Sequence, residues 1–161
     1  MKQNKCLWKL ILFSIYCGGV LFLLFWRDTF NYSQSYWRMV SENINIIPFE
    51  TINSQLYTII KRSNPYLVPY AIINLFGNIA LFIPFGFFLP WLNKKYKKIS
   101  TTLFQSTLII LAVEIIQLFT LKGTCDIDDL ILNTIGILIG YILCRLFCRK
   151  NWIEQWWIIS K

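Results

Sequence analysis

Residues 66–92 read YLVPYAIINLFGNIALFIPFGFFLPWL, without one charged side chain. As a helix this stretch would reach roughly 40 Å, more than the ~30 Å hydrocarbon core of a bilayer. It therefore predicts a transmembrane helix. Three more blocks flank it. Residues 10–26 carry no charge and extend back over Lys9 to Leu7; residues 99–121 carry one, Glu114. Residues 130–148 carry only Arg145, close enough to the end to snorkel. Four such blocks in 161 residues, with 56% hydrophobic composition, argue against the alternative of buried helices in a water-soluble core. The expected fold is all-α: a polytopic bundle of four transmembrane helices, spans about 7–26, 66–92, 99–121 and 130–148, in one domain over residues 1–161.

The first block begins with Lys2, Lys5 and Lys9, as a signal peptide would. Its far end, Phe22-Leu-Leu-Phe-Trp-Arg27, lacks the small residues that signal cleavage needs, so an uncleaved anchor is expected. Basic residues set the orientation. Eleven of the 16 lie at the N-terminus, in the short loop with Lys94, Lys95, Lys97 and Lys98, and at the C-terminal end. The positive-inside rule puts both termini and that loop in the cytoplasm. The net charge of +8 then reads as topology and contact with the lipid bilayer, not as a nucleic-acid footprint.

The first outer loop, about 27–65, is long enough to hold structure. Ile52, Leu56, Ile59 and Ile60 recur at helical spacing and predict a short amphipathic helix on the outer surface or capping the bundle. The tail, 149–161, has three tryptophans and reads as a cytoplasmic interfacial anchor. Histidine is absent, which removes the commonest zinc ligand and general base. The five cysteines form no C-x-x-C pair and suggest no disulfide framework. No cofactor and no metal is expected.

Glu114 is the sharpest single feature. It sits about 10 Å below the outer end of its span, where a carboxylate needs a partner, water or a proton. Gln117 follows on the same helix face. A second feature is Gly123-Thr-Cys-Asp-Ile-Asp-Asp129 before the fourth span. In a helix starting near Asp126, the residues Asp126, Asp129, Asn133, Gly136 and Gly140 share one stripe. Capping accounts for one or two of the acids but not for Asn133, which lies deeper. Asp128 points elsewhere and reads as a solvated charge. Gly136-x-x-x-Gly140 admits a closely packed helix, from within the chain or, alternatively, from a homodimer partner.

The third feature is the second span's Asn78, with Asn74 one turn outward and Pro84 and Gly86 further in. Pro84 removes an amide and predicts a kink. Both asparagines suit either interhelical hydrogen bonds or a ligand. Asn45-Ile-Ile-Pro48-Phe49 reads locally as an extended segment before proline. Together Asn78, Glu114, Gln117, Asp126, Asp129 and Asn133 fall in the outer halves of three spans. They predict an acidic, outward-facing polar pocket roofed by the first outer loop.

The order of these motifs resembles the VanZ-like family of bacterial membrane proteins. The residues that carry the resemblance are Pro48, Phe49, Asn78, Pro84, Gly86, Glu114, Gln117, Asp126, Asp129 and Asn133, and it spans about 45–140. Asp128 is an addition to the family pattern. The family is named for a protein that lowers susceptibility to the lipoglycopeptide teicoplanin. The resemblance implies action at the cell envelope, with a lipid-linked cell-wall precursor or a lipoglycopeptide as partner. Two other readings stand beside a binding role. One is an intramembrane enzyme, with Glu114 as general base and Asp126 and Asp129 holding a hard cation. The other is a small transporter, with Glu114 carrying a proton. The absence of histidine, of a nucleophile motif and of duplicated halves weakens both.

Overall fold

A helix satisfies all its backbone groups internally, so apolar blocks of this length adopt it in lipid. The computed structural model describes residues 2–26, 35–62 and 64–147, the side chains of 2–6 excepted. In chain order the elements are α1 (Lys2–Phe25), α2 (Tyr36–Glu42), β1 (Ile44–Asn45), α3 (Glu50–Lys61) and α4 (Val68–Leu92). A 3-10 turn at Lys94–Lys97, α5 (Ile99–Phe119), β2 (Cys125–Asp126) and α6 (Ile127–Phe147) complete them. Among the described residues four segments are long and apolar enough to cross a membrane: Leu7–Phe25, Val68–Leu92, Ile99–Phe119 and Ile127–Phe147. The architecture is an all-α polytopic membrane bundle. The expected C-terminal anchor at 149–161 lies outside the described residues.

The helix ends follow from local chemistry. α6 starts at Ile127 because Asp126 caps it, its Oδ1 accepting the Asp128 N–H at 2.9 Å. α5 ends in a Schellman turn, in which the Lys122 N–H reaches the Gln117 carbonyl and the Leu121 N–H the Leu118 carbonyl. Leu121 occupies the left-handed position there, at φ 54°, where glycine is the usual choice. Its side chain is buried with Met39, Val40 and Leu118, and that burial offsets the strain. The helical assignment of α4 continues unbroken through Pro84 and Pro90.

α4 and α6 form the axis of the bundle. Gly136 lies against the Ile79 carbonyl, Gly140 against the Ile83 carbonyl, and Gly86 against the backbone of Ile137. A methyl group at any of the three would overlap main-chain atoms. Gly136 and Gly140 are thus covered by α4, and a homodimer contact through them would have to displace it. Phe82, Ile110 and Ile137 join α4, α5 and α6 in one apolar cluster. α1 is peripheral: Tyr16 donates to the Leu81 carbonyl, Phe13 packs against Phe85 and Phe88, and Lys9 lies over Trp91. At the other side of the bundle Tyr141 ties the lysine turn by donating to the Lys97 carbonyl at 2.6 Å.

Residues 35–62, between α1 and α4, cover one end of the bundle. α2 buries Met39 and Val40 against the end of α5, where Tyr36 also donates to the Phe119 carbonyl. β1 and β2 form a short parallel pair, Ile44 opposite Cys125 and Asn45 opposite Asp126. The expected amphipathic helix is α3, whose apolar spacing leaves open whether its apolar residues meet the bundle or the membrane surface. Ile52 and Ile59 are half-buried, while Leu56 and Ile60 are exposed. The polar stripe Thr51, Gln55 and Thr58 turns toward the bundle instead.

Candidate ligand pocket

The covered end of the bundle contains two adjoining cavities. The inner one, about 430 Å³, lies between α1, α4, α5 and α6. Asn78, Glu114, Gln117, Asp129 and Asn133 all line it. The outer one, about 530 Å³, lies under α3 and is lined by Thr51, Gln55, Thr58 and Asp126 among others. Tyr70, Asn74, Lys122, Gly123, Thr124 and Asp129 border both, so the two are neighbours across these side chains. Five of the six residues expected at the pocket therefore share one cavity, and Asp126 borders its neighbour.

Each of these side chains has a different degree of commitment. Asn78 donates to Asp129 Oδ1 and joins α4 to α6. Gln117 donates to the Leu24 carbonyl at 3.0 Å and joins α5 to the end of α1. Asp126 Oδ2 accepts from Thr51 at 2.6 Å and from Asn45 at 3.5 Å, while its Oδ1 caps α6. Glu114 and Asn133 differ. Each is 5% exposed, and Glu114 Oε1 and Asn133 Oδ1 are buried with no hydrogen-bond partner among the described residues. A buried acceptor left unpaired costs about 1–3 kcal/mol, so these two oxygens are the poorly satisfied members of an otherwise bonded set.

Asp128 is not the solvated charge expected from its position. It is fully buried. Its Oδ1 accepts the Phe49 N–H at 2.6 Å and its Oδ2 accepts the Ile52 N–H at 3.0 Å. Phe49 precedes α3 at φ 67°, and these bonds satisfy amides that the start of a helix leaves open. The 45–49 motif thereby acquires a role that its sequence alone did not disclose. Asn45 pairs with Asp126 in the sheet, and Phe49 docks on Asp128.

Lys122 is a further lining residue that the acidic reading of the pocket omitted. The Schellman turn brings it to the border of the two cavities. A single lysine after a helix end carries no distinctive spacing, so nothing in the sequence marked it. Thr51, Gln55 and Thr58 had a usable signal, since they recur on one face of α3. Cys125 sits beside the acids; burial first, then the nearby Glu114 and Asp126 carboxylates, push its thiol up from the ordinary range. No cluster of three or more candidate metal ligands occurs among the described residues.

A family model described as VanZ/LLP1 matches residues 13–148. The chain belongs to the VanZ/LLP1 family. No curated protein and no solved structure matches it. The VanZ/LLP1 match contains every residue that lines either cavity, from Leu23 of α1 to Asn133 of α6. It equally contains the glycine seam and the Asp128 dock that hold the cavities together.

Proposed function

We propose that this VanZ-family chain is a bacterial cell-envelope protein whose pocket faces outward and binds a lipid-linked or cell-wall ligand. Through that binding it lowers susceptibility to teicoplanin-type lipoglycopeptides. The observation that carries the reading is Glu114: an intramembrane carboxyl group, almost fully buried, lining a cavity, with an oxygen unbonded among the described residues. Acids held inside membrane spans are costly and mark functional sites by default. The cavity has the size of small-molecule sites, which run about 300–1,000 Å³. Its polar end adjoins α3, in the loop that the distribution of lysine and arginine assigns to the outer side.

Two experiments test the proposal. The first expresses the chain in a susceptible Gram-positive host and compares teicoplanin with vancomycin susceptibility, with Glu114→Gln and Asp129→Asn alongside. Reduced teicoplanin susceptibility that both substitutions abolish is the expected result. A wild type that alters neither susceptibility nor envelope composition would refute it. The second labels single cysteines with an impermeant reagent on intact cells. Asn53→Cys on α3 should label from outside, and Lys95→Cys only after permeabilisation. The reverse pattern would sink the outward pocket.

A further inference from the structure

The two poorly satisfied groups at the inner cavity have the same chemistry. Glu114 Oε1 and Asn133 Oδ1 are both acceptors, and neither has a donor among the described residues. A ligand group that relieves them must bring N–H or O–H donors. Charge narrows the choice. Glu114 and Asp129 both line the cavity, with Lys122 at its border, so carboxylates outnumber the cation. An ammonium group supplies several donors and a matching charge, whereas a phosphate or carboxylate would meet like charge.

The rest of the cavity has a second character. Leu81, Phe82, Ile110 and Val113 give it an apolar wall. Leu23 of α1 and Ile73 of α4 also line it, yet they are 60% and 70% exposed. A residue can satisfy both conditions only where the cavity opens to the surroundings. That opening lies between α1 and α4, at a face that meets lipid in a membrane-spanning bundle. The ring contacts of α1 with Phe85 and Phe88 come from Phe13 and Tyr16, about two turns before Leu23, and do not cover the opening.

We infer that the inner cavity accepts the amine head of an amphiphile, which enters sideways from the bilayer between α1 and α4. The ammonium sits at Glu114 and Asn133, and the hydrocarbon chain leaves past Leu23 and Ile73. This rests on the reading of the pocket as a ligand site.

The test uses the full chain in a neutral maltoside detergent, with binding followed by native mass spectrometry. The probes share one chain length: dodecylamine, dodecyltrimethylammonium, dodecanol and dodecyl sulfate. Dodecylamine should bind at least about tenfold more tightly than the others, since each leaves an acceptor unpaired or lacks the charge. Glu114→Gln should reduce that preference about tenfold. The comparison among probes needs only the wild type, so a variant that fails to fold does not remove the test. Binding of dodecanol or dodecyl sulfate as tight as dodecylamine would overturn the amine inference and leave the pocket standing. Binding of none of the four would overturn both. Competition against dodecylamine then separates sources: displacement by phosphatidylethanolamine indicates a membrane lipid, and displacement by teicoplanin indicates the amine of a lipoglycopeptide.

Discussion

Asp128 holds Phe49 in a left-handed conformation, its Oδ1 accepting the Phe49 N–H at 2.6 Å while Phe49 sits at φ 67°. The other carboxylate oxygen takes the Ile52 N–H at 3.0 Å. One side chain at the start of α6 therefore fastens the first turn of α3. Charge-assisted bonds of this type contribute about 1.5–3 kcal/mol each. Asp128→Ala should lower stability by about 3 kcal/mol or more, and Asp128→Asn, which keeps one acceptor, by roughly half as much. Thermal unfolding in detergent reads the loss. Limited proteolysis between Ile46 and Ile52 reads its location, and unchanged cleavage there in Asp128→Ala would contradict the assignment.

The glycine seam makes a sharper forecast. Gly140→Ala places a methyl against the Ile83 carbonyl and the Phe87 amide, and Gly136→Ala against the Ile79 carbonyl. Neither backbone can give way without separating α4 from α6. Each substitution should cost more than about 3 kcal/mol, above the usual range for point changes. Gly18→Ala and Gly19→Ala on α1 meet nothing within 4 Å and should be neutral or slightly stabilising. Comparable melting temperatures across the two pairs would refute the seam.

Much of this arrangement was legible beforehand. The four spans followed from uncharged length, because a bilayer tolerates little else. The cluster of Asn78, Glu114, Gln117, Asp129 and Asn133 followed from depth and helical spacing, since polar groups within spans converge on the bundle interior. Asp128 was misread for a physical reason. Its direction is right for a residue off the Asp126–Asp129 stripe, but α3 folds back to cover that side, a tertiary fact without local trace. Lys122 was likewise placed by a left-handed Leu121, a position where sequence statistics favour glycine.

Asn78 and Asp129 give a test of interhelical bonding at the cavity. A double-mutant cycle with Asn78→Ala and Asp129→Ala should return a coupling of about 1–2 kcal/mol, at the upper end for hydrogen bonds between membrane helices. Coupling near zero would mean that each side chain serves the cavity separately.

Cys125 reports on the acids around it. Burial and the Glu114 and Asp126 carboxylates raise its thiol pKa, so less thiolate is present at any given pH than for a free cysteine. Alkylation of Cys125 should therefore need a higher pH than alkylation of an exposed thiol. Glu114→Gln removes one cause of the shift and should move the rate–pH curve back toward lower pH. A curve that stays in place would show that Glu114 carries no charge felt at Cys125.

The contacts that close the pocket join parts of the chain made at widely different times. Ile44 pairs with Cys125 and Phe49 docks on Asp128, across 81 and 79 positions of sequence respectively. A ribosome releases α3 well before α6 exists, so these two fastenings can form only after residues 125–128 have been made. Closure of the candidate pocket is thus a late step in biogenesis, and a nascent chain stalled before residue 125 should leave the first turn of α3 more open to proteases than the finished protein does.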